Sequence, residues 1–186
     1  MDQPWRRLIT SEQNQAGAAA ESTQDGLVGQ LGEGRWPHRV LMVCSSGGHL
    51  VQLARLRPWW EGRERAWVTF PGPDSESLLA GETIHVAHYP TTRNAANALR
   101  NLRLAVELLR RYKPDVVLST GAGVAFPFFV IARARGIRTV YLEVFDRVDL
   151  ATLTGRLCYP ISDLFLLQWP EQQLVYPRGR VIGSVF

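Results

Sequence analysis

The chain is short of cysteine, of lysine and of long apolar runs. Its two cysteines, Cys44 and Cys158, both stand in apolar surroundings. They cannot supply a disulfide framework and read as buried free thiols of a reducing compartment. No Cys/His cluster stands at ligand spacing, so no metal is expected. Residues 116–132 pass without a charge, but seventeen residues fall short of the roughly 20 that a spanning helix needs. Ser119–Gly123 and Pro127 also interrupt them, which fits a buried strand, a glycine turn and a buried helix better. No unbroken apolar segment follows Arg6-Arg7, because Thr10 to Gln15 is polar. A secretory signal is therefore not expected. No internal repeat at fixed period is visible.

What is present is unevenly distributed. Residues 1–38 are rich in Gln, Ser, Ala, Gly and Glu, and carry three Arg against five acids. They lack the composition to bury a core and are expected to form a disordered polar tail. Residues 39–186 carry seventeen Arg and one Lys against twelve acids. They are the size of one ordinary domain. A mildly basic body suits phosphorylated ligands or an anionic membrane surface. Its arginines are spread over several elements without a recognised binding motif, so no nucleic acid is expected as partner.

Within the body, short apolar runs alternate with helical segments. Strands are expected at 40–44, 66–70, 83–87, 116–119, 139–142, 164–167 and 181–182. Helices are expected at 49–57, 94–112, 124–135 and 153–159. Lys113-Pro114-Asp115 and Gly136 mark helix ends. This alternation predicts an α/β domain with a doubly wound parallel sheet, Rossmann-like, covered on both faces. On helix 94–112, Ala95, Leu99, Leu102, Val106 and Leu109 recur at helical spacing and are expected to form its core stripe. Arg100, Arg103, Arg110 and Arg111 lie elsewhere on it. They form either a solvated basic face or a membrane-surface patch, aided in the second case by Trp59 and Trp60. Those two tryptophans equally suit a packing corner after Pro58.

Ligands of such sheets bind at the carboxyl ends of the strands. The first strand is followed there by Ser45-Ser46-Gly47-Gly48-His49, where two glycines permit a sharp bend and a close approach. The helix that follows offers free N–H groups and a partial positive charge to a phosphate. The fourth strand is followed by Thr120-Gly121-Ala122-Gly123, the fifth by Glu143-Val144-Phe145-Asp146-Arg147 and the sixth by Gln168-Trp169-Pro170. Two glycine-rich turns suggest a phosphate or diphosphate ligand.

These segments occur in one order that resembles a known family. Ser-Gly-Gly-His, Ser-Thr-Gly-Ala-Gly, Glu143 with Arg147, Leu153-Thr154-Gly155-Arg156 and Gln168-Trp169-Pro170 with Tyr176-Pro177 and Gly183 carry the likeness. It is to the acceptor-side subunit of the split UDP-N-acetylglucosamine transferase of dolichol-linked oligosaccharide assembly, and to that subunit's bacterial capsule and exopolysaccharide relatives. A more distant similarity is to the glycosyltransferase that makes lipid II. The resemblance implies the N-terminal half of a GT-B glycosyltransferase divided over two chains. This half would bind a polyprenyl-diphosphate-linked sugar acceptor and recruit a donor-binding catalytic partner, which brings the UDP-sugar. It implies a peripheral place at the cytoplasmic face of the membrane and no cofactor of its own. The eukaryotic subunit begins with a membrane-spanning helix, where this sequence has its polar tail.

The residue roles that follow are these. His49 acts as base toward the acceptor hydroxyl, orients the diphosphate, or makes only a structural contact at a helix N-terminus. Ser46, Gly47, Gly48, Gly121 and Gly123 hold the acceptor phosphates, or serve turn geometry alone. Glu143 bonds the acceptor sugar or helps as base, or is buried in a pair with Arg147. Arg147 binds phosphate as a bidentate donor, or pairs with Glu143 or Asp146. Gln168-Trp169-Pro170 shapes the cleft rather than performing chemistry. Two other readings of the chain are a stand-alone small transferase and a non-catalytic membrane-docking module.

Overall fold

A computed structural model describes residues 37–186, so the tail expected at 1–38 lies, but for its last two residues, outside the described part. Seven strands form one parallel sheet: β1 (Arg39–Val43), β2 (Glu64–Thr69), β3 (Ile84–Val86), β4 (Val116–Ser119), β5 (Arg138–Leu142), β6 (Leu164–Leu167) and β7 (Arg180–Val181). Their spatial order is β3-β2-β1-β4-β5-β6-β7. The expected strands are all there, shifted by at most two residues at an end. The helices are α1 (Gly48–Arg55), α2 (Arg57–Trp60), α3 (Pro73–Leu78), α4 (Ala95–Tyr112), α5 (Ala125–Ala134) and α6 (Leu153–Cys158). The sequence reading carries the first helix two residues beyond α1 and misses both α2 and α3, the latter a six-residue helix with polar Asp74, Ser75 and Glu76 in its first turn.

The order reverses between β1 and β4. Right-handed crossovers then place the helices that lead away from β1 on one face and those that return on the other. Strand periodicity divides the side chains accordingly. Val40 and Met42 pack with Leu50, Leu53, Trp59, Trp60 and Trp67 on the α1–α3 face. Leu41 and Val43 pack with Ala105, Leu109, Phe128, Phe129 and Cys158 on the α4–α6 face. Both cysteines are buried and free. Burial pushes the Cys44 thiol up to about 12, and burial with the nearby Glu143 carboxylate raises that of Cys158, so neither sulfur's surroundings favour the reactive thiolate.

The packing decides between two readings of the tryptophans and corrects the expectation for α4. Trp59 and Trp60 are buried and form the packing corner, not a membrane contact. The Trp60 ring meets Trp67 edge-on at 5.6 Å, and its indole N–H donates to the Leu53 carbonyl at 3.0 Å. On α4 the buried residues are Asn97, Asn101, Ala105, Leu108 and Leu109, so only Leu109 of the expected stripe is buried. The reason is the chain that precedes the helix. The Asn101 side chain exchanges two hydrogen bonds with the backbone of His88, at 2.8 and 2.9 Å. The Asn97 amide donates to the Pro90 carbonyl at 2.9 Å. Two asparagines therefore occupy the inner face, where their amides supply both donor and acceptor to the backbone of the 88–90 segment. Leu99 and Val106 turn outward and are 52% and 40% exposed.

Candidate functional site

The reversal between β1 and β4 is the switch point at which such sheets open a crevice. The turns after these two strands meet there. Gly47 has φ +76° and Gly121 has φ +108°, conformations that L side chains rarely adopt. A Cβ on Gly121 would stand 2.5 Å from Tyr141 Oη and 3.3 Å from His49 Cε1. Glycine there lets the two turns close on one another.

His49 stitches them together. Its Nδ1 lies 2.8 Å from the Thr120 carbonyl oxygen, and Thr120 Oγ1 donates to the His49 carbonyl at 2.8 Å. A carbonyl only accepts, so Nδ1 carries the proton and Nε2 keeps its lone pair. Burial lowers the pKa of His49 below its ordinary 6.5, opposed by the Thr120 carbonyl and the Asp146 carboxylate. The imidazole is thus held neutral at pH 7, in one tautomer, with one nitrogen available as a base.

His49 opens onto a cleft of about 400 Å³ lined by Gly48, His49, Gln52, Val144, Phe145, Asp146 and Phe186. The Phe145 ring packs against Trp169 at 4.8 Å and Phe186 at 5.4 Å. Asp146 is exposed on this cleft. The sequence reading passes over it as a site residue, although its place at the carboxyl end of β5 marked it. Arg147 is exposed beside it, with Nε 3.8 Å from Asp146 Oδ2. Among the described ion pairs, Arg147 therefore keeps company with Asp146 and not with Glu143.

The carboxylate expected from the sequence is elsewhere. Glu143 is fully buried and is not among the residues that line the cleft. Its Oε1 accepts the Val144 N–H at 3.0 Å. Its Oε2 faces Tyr176 Oη and Thr152 Oγ1 around Gly155, where a Cβ would collide with all three oxygens. Burial, the largest cause, raises the Glu143 pKa above 4.5, and the Tyr176 hydroxyl and Val144 amide oppose it. The native state then binds this proton more tightly than the unfolded chain does. Its contribution to stability is complete below about pH 4.5 and is lost as pH rises through the raised native value. Glu143→Gln is accordingly expected to unfold at a higher temperature than the wild type, by a margin that grows above pH 4.5. A margin independent of pH in thermal melts from pH 4 to 8 would refute this.

The glycine turns do not offer all their amides to a ligand. The Gly121 N–H donates to Ser119 Oγ at 2.9 Å, and the Gly47 N–H donates to the Asp74 carboxylate. A Cβ on Gly123 would stand 2.9 Å from Thr91, so that glycine admits the 88–93 loop. A phosphate reaching Gly47 must exchange places with Asp74.

The sequence profile of the family described as "Oligosaccharide biosynthesis protein Alg14 like" matches residues 84–185. The chain is similar to the UDP-N-acetylglucosamine transferase subunit ALG14 of Homo sapiens, 33% identical over 180 residues, covering 78% of this chain and 82% of that one. The Mus musculus subunit of that name is 36% identical over 179 residues, with 79% and 82% covered. Among solved structures, MurG of Acinetobacter baumannii superposes with a TM-score of 0.65 at 19% identity, over 80% of this chain and 46% of that one. A UDP-N-acetylglucosamine 2-epimerase from Rickettsia bellii superposes with a TM-score of 0.64 at 14% identity, over 81% and 46%. At such identities the likeness is one of fold. The chain spans less than half of either solved protein and corresponds to one Rossmann-like half.

Proposed function

Because this chain belongs to the Alg14-like family of oligosaccharide biosynthesis proteins, we propose that it is the acceptor-side subunit of a two-chain UDP-sugar transferase. It binds a sugar linked to a polyprenyl diphosphate at the cytoplasmic face of a membrane. A separate donor-binding chain brings the UDP-sugar and closes over the cleft. The observation that carries this reading is the His49–Thr120 contact at the sheet's switch point. It supplies a fixed, neutral base where the β1 and β4 turns converge.

In the reaction, the acceptor hydroxyl oxygen forms its bond to the anomeric carbon as that carbon's bond to UDP breaks. The diphosphate leaves with the electron pair, and the hydroxyl proton passes to His49 Nε2. The Asp146 carboxylate favours the imidazolium as it forms. Glu143, buried away from the cleft, serves by bracing the loop after β5 from within, where it accepts the Val144 N–H. Ser46, Gly48 and Arg147 stand nearest the acceptor diphosphate, and the glycine turns permit its close approach. No helix of the described residues is long and apolar enough to cross a membrane. Attachment is assigned to the exposed face of α4.

The test is dependence on a partner. The isolated chain is expected to transfer no sugar from UDP-N-acetylglucosamine to a polyprenyl-diphosphate sugar, because one Rossmann-like half lacks the second wall of the cleft. Adding a donor-binding chain should restore turnover. Robust transfer by the isolated chain would overturn the reading.

A further inference from the structure

The turn 45–49 after β1 and the loop 143–147 after β5 supply residues to the cleft, and the segment 168–174 after β6 packs against that second loop. Buried glutamines join them. Gln52, on α1, is 4% exposed. Its Oε1 accepts the Phe145 N–H at 2.9 Å and a Gln168 amide proton at 2.7 Å. Its Nε2 donates back to the Gly48 carbonyl at 3.3 Å. Gln168 also donates to the Glu143 carbonyl at 2.9 Å, and its Oε1 accepts the Val185 N–H at 3.1 Å. Gln172 accepts the Gln168 N–H at 2.8 Å and donates to the carbonyls of Val144 and Arg147 at 3.0 and 2.9 Å. Each amide is used as donor and as acceptor, which fixes its orientation.

This polar net lies at the rim, above two apolar cores that hold the sheet without it. Its members connect the turn that carries His49 with the loop that carries Asp146. A misplacement of about an ångström can already cost a reaction on the order of a hundredfold in rate. We propose that Gln52 and Gln168 are positioning residues: their clasp sets the width of the cleft by fixing the 144–147 loop relative to His49. The role in turnover rests on the transferase reading above, whereas the clasp itself does not.

The test uses Gln52→Met, which keeps length and removes the amide, and Gln168→Met, which opens the same clasp from the β6 side. Both are measured in the assembled two-chain complex, with amide exchange followed on the same protein. Each variant is expected to lower kcat about tenfold while the acceptor KM changes less than threefold. The double variant should be no worse than the worse single one, as expected of groups acting as a unit. In Gln52→Met the Phe145 amide should exchange faster, while the Val144 amide, held by Glu143, should not. Unchanged kcat despite faster Phe145 exchange would overturn the proposal, and so would unchanged exchange. Loss of folding in both variants would overturn it too, by making the net a support of the fold alone. Absence of transfer by the wild-type complex would instead overturn the transferase reading.

Discussion

His49→Ala is expected to lower turnover of the assembled transferase at least a hundredfold with little loss of thermal stability. A positioned general base contributes about 10²–10⁴-fold, and His49 is the base in the proposed reaction. Its Nδ1 proton is committed to the Thr120 carbonyl at 2.8 Å, so the ring cannot rotate to present the wrong nitrogen. Burial keeps its pKa below 6.5, so the basic form dominates through neutral pH. The acid limb of the kcat/KM profile should therefore fall below pH 6.5. In linkage terms, a depressed histidine pKa costs stability as pH falls from about 6.5 towards the native value, because the unfolded chain then binds more protons. His49→Asn separates the two possible roles. The asparagine amide can still donate to the Thr120 carbonyl but cannot take a proton from the acceptor. A structural contact predicts near-normal turnover for Asn, and a base predicts loss as severe as for Ala. Steady-state rates and melting temperatures of the two variants decide between them.

Removing four arginines from α4 is expected to abolish sedimentation with anionic liposomes at low salt. The outward turn of this helix exposes Leu99, Arg103, Val106 and Arg110 in sequence positions that share one stripe. An interleaving of apolar and basic residues on one face suits a helix lying in a lipid interface. The neighbouring helices of the same layer add exposed Val130, Leu153 and Leu157. Arg111 is paired with Glu107 at 3.1 Å, but the pair is exposed and weak enough to yield to a lipid headgroup. Each arginine near an anionic surface contributes about 1 kcal/mol. The variant Arg100→Gln, Arg103→Gln, Arg110→Gln, Arg111→Gln should then bind about 4 kcal/mol more weakly, on the order of a thousandfold in partition. Binding of the wild type should also fall with salt, since the attraction reaches only about 8–10 Å. Equal sedimentation of variant and wild type at low salt would reject this helix as the membrane face.

The sequence by itself determined the sheet and the rim. Apolar runs such as Val116–Ser119 and Leu164–Leu167 are too short for helices and are bounded by turns, so they read as strands buried on both faces, and their alternation with helices points to a parallel sheet. Strand ends then carry the loops with chemistry, and Ser45–His49 and Thr120–Gly123 were legible there without coordinates. The tertiary structure alone decided which residues of those segments face the cleft. Glu143 and Asp146 are three residues apart on one loop, yet one is sealed against Tyr176 and the other lines the opening, a choice made by packing across the chain. Asn97, Asn101, Gln52 and Gln172 look like surface residues to any hydropathy pattern. They are buried because distant backbone groups need their amides, a demand that periodicity cannot register. That same demand rotated α4, put Leu99 and Val106 outside, and made a face where the sequence suggested a core.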